Sequence, residues 1–345
     1  MCTGAHADHP RNAALTSKNE AGLVRTFTAN GAIDTTGAFF QSLGTNGRSC
    51  SSCHQLDSAW SIRPDAVREL FEETRGTDPL FRSVDGANSP AADVSTVSAR
   101  RRAYSQLLQK GLIRIGEPIP ANAEFSLVAV DDPYRYASAR ELSLFRRPLP
   151  STNLRFITAA MWDARETHAP FLPPMDAGVA MEDVAASLKT QAVDAIAGHA
   201  QGNLVPTAEQ VNEIVDFELG LTTAQVFDRR AGWLNTDDAL GGPRALAAQQ
   251  FYIGINDVLG ADPAGADFDP GAMKLFDAWT DSDNEARAAI ARGEKLFDAK
   301  AIAITGVGGL NDRLGVATIA GTCTTCHDAP NVGNHSLALP IDIGL

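Results

Sequence analysis

Cys50-Ser51-Ser52-Cys53-His54 and Cys323-Thr324-Thr325-Cys326-His327 are the two stretches of this 345-residue chain that decide its fold. Each has two cysteines separated by two residues, and a histidine follows the second cysteine directly. Four of the five cysteines fall in these two motifs, which leaves Cys2 alone. A C-x-x-C-H pattern is typical of covalent attachment of a c-type haem.

The spacing suits that chemistry, because two thiols on one turn of backbone can reach two vinyl groups on one porphyrin edge while the adjacent imidazole ligates iron. A thioredoxin-like redox pair does not need the histidine. A four-cysteine zinc site would have to join pairs 270 residues apart, from Cys53 to Cys323. The sequence therefore predicts two covalently bound haem c groups, attached at Cys50, Cys53, Cys323 and Cys326, with His54 and His327 as iron ligands.

The composition describes a globular chain of acidic character. Hydrophobic residues make up 44% and charged residues 21%, and the formal net charge is −13. This charge argues against a nucleic-acid partner and favours a small substrate or a basic redox partner protein. No apolar run approaches the roughly 20 residues that span a bilayer.

The N-terminus and the motifs both indicate export. Covalent haem attachment takes place outside the bacterial cytoplasm, so the motifs imply a periplasmic or cell-surface protein. Cys2 stands where a processed bacterial lipoprotein has its lipidated cysteine, which would attach the chain to a membrane. The alternative is that Cys2 is an incidental thiol.

The hydrophobic pattern predicts a mainly α fold with two cytochrome c-like haem domains. A small β-hairpin is expected within residues 112–136, in the first domain, where β-branched and aromatic residues surround prolines. Thr207 and Gln210 form a capping-box pattern. Helices are predicted over residues 67–74, 95–110, 181–200, 207–230, 243–258 and 285–299.

The domain organisation follows from the position of the motifs. We expect a flexible segment over residues 1–20, an N-terminal haem domain with insertions over 21–235 and a C-terminal haem domain over 236–345. The last domain is expected to be incomplete, because class I cytochromes take their distal methionine from the chain after the motif and no methionine follows His327.

Between the motifs, Met161-Trp162-Asp163-Ala164-Arg165 resembles a tryptophan-aspartate-glycine-arginine sequence of the bacterial dihaem cytochrome c peroxidase superfamily, which includes the MauG-type enzymes. Residues 326–333 are similar to that family's sequence after its second haem motif. The resemblance implies that Trp162 conducts electrons between the haems. It also implies that Asn153 binds a calcium ion between the domains.

The chain departs from this family in the region that handles peroxide. Aligning Gln191 with the family's glutamine brings His199 to the place of a catalytic glutamate. His199 could act as general base or could ligate the first haem directly. The long segment between His54 and Asn153 is more like the dihaem rubber oxygenases.

The remaining aromatic and histidine residues have weaker assignments. His335 is a second candidate for a distal ligand, although a hydrogen bond to a propionate or to the backbone is the favoured interpretation. His168 is expected to be solvated, and His6 and His9 need no role. Trp60 is expected to pack on the first haem.

The leading hypothesis is a dihaem oxidoreductase of peroxidase type. Electrons would pass from the His327 haem through Trp162 to the His54 haem, where hydrogen peroxide or a related oxidant is reduced beside His199 and Gln191. Two alternatives are a non-enzymatic electron carrier, which could assemble with copies of itself, and a dioxygenase resembling the rubber oxygenases.

Overall fold

A computed structural model of the chain describes residues 14–168, 181–260, 262–327, 329–333 and 343. Helices of all types account for 32% of these residues and strands for 14%, and the strands form antiparallel sheets. The prediction of a mainly α fold is therefore wrong. The α-helices in the described residues are α1 (Pro64–Thr74), α2 (Val97–Ala103), α3 (Ser105–Lys110), α4 (Met181–Gly198), α5 (Ala208–Leu219), α6 (Pro243–Ala248) and α7 (Glu285–Ala299).

The strands of the described residues lie in one four-stranded and two two-stranded sheets. The four-stranded sheet has the order β1-β2-β5-β6, and the others pair β3 with β4 and β7 with β8. Their bounds are β1 (Ala14–Lys18), β2 (Gly22–Thr28), β3 (Ile113–Glu117), β4 (Leu142–Arg146), β5 (Leu221–Asp228), β6 (Gly232–Trp233), β7 (Ile302–Ile304) and β8 (Ile319–Gly321).

The chain divides into two compact units. The first-motif unit contains Thr35–Ser151 and Ala192–Ile214. The second-motif unit contains the described residues up to Asp34 and those within Thr152–Gln191 and Val215–Leu345. Each unit therefore carries one C-x-x-C-H motif.

The four-stranded sheet is the main reason why the fold is not mainly helical. The predicted helix over residues 207–230 ends at Leu219, and β5 follows after Gly220. β5 is rich in β-branched residues, which favour strands, and it pairs antiparallel with β2. The hydroxyls of Thr26 and Thr223 share a buried cross-strand hydrogen bond of 2.7 Å. The start of the predicted helix is confirmed, because Thr207 and Gln210 form the reciprocal bonds of a capping box.

The predicted β-hairpin is correct in its first strand only. β3 lies inside the predicted region, but its partner β4 lies beyond it, and Ile113 pairs with Arg146. Residues 118–137 form no strand. Residues 14–18, which belong to the segment expected to be flexible, form β1 and pair with β2.

A buried cluster around α1 and α3 supports the first motif. It includes Phe71, Phe81 and Leu107, and Cys53 packs against it. The rings of Phe71 and Phe81 meet edge to face at 5.3 Å. α1 begins with Pro64, a residue common at the first position of a helix, and Arg75 directly after it adopts the left-handed conformation common at helix ends.

A second cluster supports α7 in the second-motif unit. Trp279, Leu234 and Ala291 are buried together in it. The side chain of Asn284 accepts hydrogen bonds from the first backbone amides of α7, which is the interaction expected at a helix start. The predicted helix over residues 285–299 is confirmed. No helix in the described part of the chain combines the length and the apolar character that crossing a membrane requires.

Candidate functional site

The first C-x-x-C-H motif folds into a tight 3₁₀ turn, Cys50–Ser52. The amide of His54 donates to the carbonyl of Cys50 at 2.9 Å, so the chain reverses within the motif. The amide of Ser49 donates to the side chain of Ser52 at 3.1 Å and closes the start of the turn. This turn holds both thiols and the imidazole on one short piece of backbone.

The second motif forms the same turn, Cys323–Thr325, from a different sequence. The amide of His327 again donates to the carbonyl of the first cysteine at 2.9 Å. Thr322 and Thr325 reproduce the Ser49–Ser52 bond at 2.9 Å. A hydroxyl directly before the motif and at its third position is thus the shared feature that closes both turns.

A phenylalanine from upstream packs beside each histidine. The ring centroids of Phe39 and His54 lie 6.4 Å apart at an interplanar angle of 57°. Those of Phe297 and His327 also lie 6.4 Å apart, at 55°. The two motifs therefore share their turn and a phenylalanine neighbour of the histidine.

The cysteines fit the expected thioether attachment. Cys50, Cys53, Cys323 and Cys326 form no disulfide. Burial raises the pKa of the Cys53 thiol to about 11, so it is neutral at pH 7. Nucleophilic and metal-bound cysteines instead have a lowered pKa. A thioether sulfur carries no charge and suits this buried position.

The imidazole of His54 is oriented as an iron ligand would be. Its Nδ1 lies 3.1 Å from the carbonyl oxygen of Trp60, which can only accept, so Nδ1 carries the proton and Nε2 is left with its lone pair. Burial lowers the pKa of His54 to about 4. His54 is therefore neutral at pH 7, which is the state that binds metal.

The loop after the first motif places the carbonyl of Trp60. Ala59 and Trp60 both have left-handed backbones, with φ of 54° and 63°. Such residues persist where the surroundings fix them. The Trp60 side chain is completely buried, and its ring lies 6.1 Å from that of Phe39. Trp60 thus belongs to the core that supports His54.

A buried ion pair lies in the same unit as the first motif. Arg48 and Asp85 form a salt bridge, and their side chains are 2% and 5% exposed. Arg48 also donates from Nε to the carbonyl of Pro79 at 2.8 Å and from Nη2 to that of Leu80 at 2.7 Å. Since Arg48 is two residues before Cys50, this network is attached directly to the motif.

His199 completes the network. Its Nδ1 lies 2.6 Å from the second carboxylate oxygen of Asp85. Burial alone would raise the pKa of Asp85, but the hydrogen bond from His199 and the charge of Arg48 together lower it. Asp85 is therefore ionised at neutral pH and can only accept, so Nδ1 of His199 donates. In the neutral imidazole the Nε2 atom then carries the lone pair, on a side chain that is 43% exposed.

The backbone around His199 is fastened to the segment before the first motif. Asn46 Nδ2 donates to the carbonyl of His199 at 2.8 Å, and Arg48 Nη1 donates to it at 3.2 Å. The amide of Thr45 donates to the carbonyl of Ala200 at 3.0 Å. His199 lies just past the end of α4. Three hydrogen bonds to the backbone of His199 and Ala200, together with the side-chain bond to Asp85, hold it beside the motif.

The second motif has different surroundings. The hydroxyl of Thr324 donates to the carbonyl of Pro270 at 2.8 Å and fixes the turn to the preceding segment. His327 is exposed, and among the described residues none forms a hydrogen bond with its ring. Within the same described ranges no three His, Cys, Asp or Glu side chains converge as a metal cluster. A haem does not need one, because the porphyrin supplies four ligands itself.

Trp162 and Gln191 lie in the second-motif unit. The Trp162 side chain is 68% exposed, in a turn between the left-handed residues Met161 and Ala164. Gln191 is half-buried on α4, eight residues before His199. Gln191 and His199 therefore belong to different units.

The side chain of Asn153 is bonded to protein. Its Oδ1 accepts from the amide of Thr223 at 2.8 Å, and its Nδ2 donates to the carbonyl of Thr223 at 2.9 Å and to the side chain of Asn331 at 3.2 Å. The calcium role of Asn153 stays a prediction. His168 is exposed and bonds to the hydroxyl of Thr190 at 2.6 Å. Cys2, His6, His9 and His335 lie outside the described residues.

Asp85 and Arg48 are the functional candidates that sequence patterns missed. The only local signal was the position of Arg48 close to Cys50, and nothing near Asp85 marks it. Compared with known protein families, with curated proteins and with solved structures, the chain gives no match.

Proposed function

We propose that this protein is an exported dihaem c-type cytochrome that acts as a peroxidase-like oxidoreductase, as the resemblance to the dihaem peroxidase superfamily suggests. The observation that carries the proposal is the pairing of two matching C-x-x-C-H turns with a histidine of the first-motif unit, His199, whose Nδ1 is bonded to Asp85. Each haem, when bound, would supply a redox-active iron.

The residues of the chain have distinct parts in this proposal. His54 and His327 would ligate the two haem irons. Trp162 would pass electrons between the haems, as the resemblance implies. His199 would accept a proton from hydrogen peroxide or a related oxidant, and Gln191 is the other residue that the resemblance assigns to the distal pocket. Neutral, oriented histidines are the usual acid–base groups for such transfers near pH 7.

The partners follow from the same scheme. A redox partner protein supplies electrons, and the acidic surface favours a basic one. The location is the periplasm or the cell surface of a bacterium, with Cys2 as a candidate lipid anchor and Asn153 as a candidate calcium ligand. Mass spectrometry of native material would show whether Cys2 is modified.

A single set of spectra tests the enzyme proposal. Absorption spectra of the purified protein, oxidised and reduced, with and without hydrogen peroxide and carbon monoxide, should show one five-coordinate high-spin haem that responds to both ligands. If both irons are six-coordinate and low-spin in every redox state, and peroxide leaves the spectrum unchanged, the enzyme proposal is wrong.

One observation favours a second function, that of an electron carrier. The same lone pair on Nε2 of His199 that could accept a proton is also a ligand for iron, and a histidine bonded to a carboxylate is a common metal ligand. If His199 ligates the first haem, the site is closed to peroxide. Replacing His199 with glutamine would then convert a low-spin haem to a high-spin one.

A further inference from the structure

Asp85 is held by contacts that do not involve His199. Its carboxylate accepts from Arg48, and the backbone carbonyl of Asp85 accepts from the amide of Arg114 at 2.7 Å. Arg48 is fixed in turn by two backbone carbonyls. The orientation of the Asp85 carboxylate is therefore set before His199 bonds to it.

This arrangement determines which nitrogen of His199 carries the proton. A carboxylate can only accept, so the nitrogen that faces it must be protonated. In the opposite tautomer, Nδ1 would present its lone pair to a negative charge in a buried place, which is unfavourable. The remaining nitrogen, Nε2, belongs to a side chain that is 43% exposed.

We propose that Asp85 is the positioning residue that keeps His199 in the Nδ1–H tautomer, so that Nε2 is the atom available at the first haem. This inference rests on the proposed function, because it assigns the proton acceptor of that reaction. Arg48 balances the charge of Asp85 and keeps the carboxylate in its orientation. Arg48, Asp85 and His199 thus form a hydrogen-bonded network that no local pattern of the sequence reveals.

The proton balance of the step is simple. Nε2 accepts one proton from hydrogen peroxide, and Asp85 remains ionised beside the imidazolium. When the O–O bond breaks, His199 returns this proton to the departing hydroxide, which leaves as water. The two electrons come from the redox partner protein, and two protons from solvent complete the second water.

The binding of hydrogen cyanide tests the inference without turnover. Cyanide binds iron as an anion, so a base must accept its proton, and the rate of binding reports on that base. Asp85→Asn can direct its amide N–H at Nδ1, which moves the proton of His199 to Nε2. We expect cyanide to bind the holoprotein about 100-fold more slowly in this variant and in His199→Gln.

Three further variants separate positioning from simple loss of structure. Asp85→Glu keeps an accepting carboxylate and should recover part of the rate. Arg48→Gln with Asp85→Asn removes both charges, which avoids an unpaired buried arginine, and should stay slow. Asp65→Asn alters an exposed carboxylate that pairs with Arg63 in the same unit, and it should bind cyanide like the unchanged protein.

The outcomes distinguish this inference from the proposed function. If His199→Gln is slow but Asp85→Asn binds cyanide as fast as the unchanged protein, the positioning role is wrong and the enzyme proposal stands. If the unchanged protein is low-spin and does not bind cyanide, the enzyme proposal fails. The positioning role then stands only if Asp85→Asn makes the first haem high-spin, and it fails if the spectrum is unchanged.

Discussion

The two C-x-x-C-H motifs have the same backbone and different environments. Both form a 3₁₀ turn closed by hydroxyl side chains, and both place a phenylalanine ring 6.4 Å from the histidine. Yet His54 is half-buried and bonded to the carbonyl of Trp60, whereas His327 is exposed. Only the first-motif unit contains a network like that of Arg48, Asp85 and His199 within the described residues.

This comparison teaches that the turn and the surroundings of its histidine have separate origins. The turn depends on six consecutive residues, so any segment with that pattern can form it. The surroundings of the histidine depend on residues that are distant in sequence, such as Asp85 and His199, which lie 114 residues apart. Two matching turns can therefore have different surroundings.

The largest expected effect tests whether the two turns are equivalent. Replacing Cys50 and Cys53 with serine should remove one of two haems, because both thioether links are lost, and the same holds for Cys323 and Cys326. The pyridine haemochrome absorbance per protein should fall to about half in either double variant. Cys2→Ser is the matched control and should retain both haems. An unchanged haem content in either double variant would contradict the assignment of that motif.

The second prediction concerns the network that the second motif lacks. Asp85→Ala leaves Arg48 buried without a partner, so unfolding free energy should fall by about 3–5 kcal/mol. Urea denaturation at pH 7 measures this loss. Asp65→Ala, at an exposed ion pair, should cost less than about 1 kcal/mol. Equal losses for the two variants would show that the buried ion pair contributes no more to the free energy of unfolding than the exposed one.

The same residue gives a pH dependence with a defined sign. The pKa of Asp85 is lowered from an ordinary value of 3.8, so its ionised form stabilises the folded state. This contribution is fully present above pH 3.8 and is lost as the pH falls through the lower pKa of the folded state. The difference in stability between the unchanged protein and Asp85→Asn should therefore shrink in strongly acidic solution.

The third prediction compares the two phenylalanines. Phe39 is 1% exposed, so Phe39→Ala should cost about 3–5 kcal/mol through the cavity it creates. Phe297 is only half-buried, and Phe297→Ala should cost roughly 1–2 kcal/mol. Denaturation of both variants under one condition tests the order. A larger loss at Phe297 would mean that the two motifs differ less in burial than their structures indicate.

The smallest expected effect concerns the hydroxyls that close the turns. Ser52→Ala and Thr325→Ala each remove one bond at the start of a turn, at a cost of about 1 kcal/mol. Thermal unfolding of both variants, with Thr325→Ser as a control that keeps the hydroxyl, measures it. Because the bonds are equivalent, the two losses should agree. A loss at one site only would show that the hydroxyl bond stabilises one turn and not the other.

Local features of this chain could be predicted from its sequence. The helix over residues 285–299 and the capping box at Thr207 depend on neighbours in the chain, and both are confirmed. β5 could not be predicted in the same way, because its apolar residues continue the pattern of α5 and its partner β2 lies about 200 residues earlier. The prediction of a mainly α fold was wrong because it did not include this long-range strand pairing.

The residues of the candidate site also differ in whether the sequence predicts them. His199 was found through its position in a resemblance, and the cysteines and His54 through their spacing. Asp85 was missed, because a single aspartate in a loop belongs to no sequence pattern. Its role depends on its contacts with Arg48 and His199, which form only in the folded chain. Burial, which makes this carboxylate different from Asp65, is a property of the folded chain alone.

The pairing of β2 with β5 has a consequence for the folding of the chain during its synthesis. The first turn and its loop are complete soon after residue 61, but β2 has no partner on one edge until residue 221 has been synthesised. Until then, the hairpin of β1 and β2 exposes an unpaired edge, which is a site of aggregation in incomplete chains. Fragments that end before β5 should therefore aggregate more readily than the full chain, through residues that the finished protein covers.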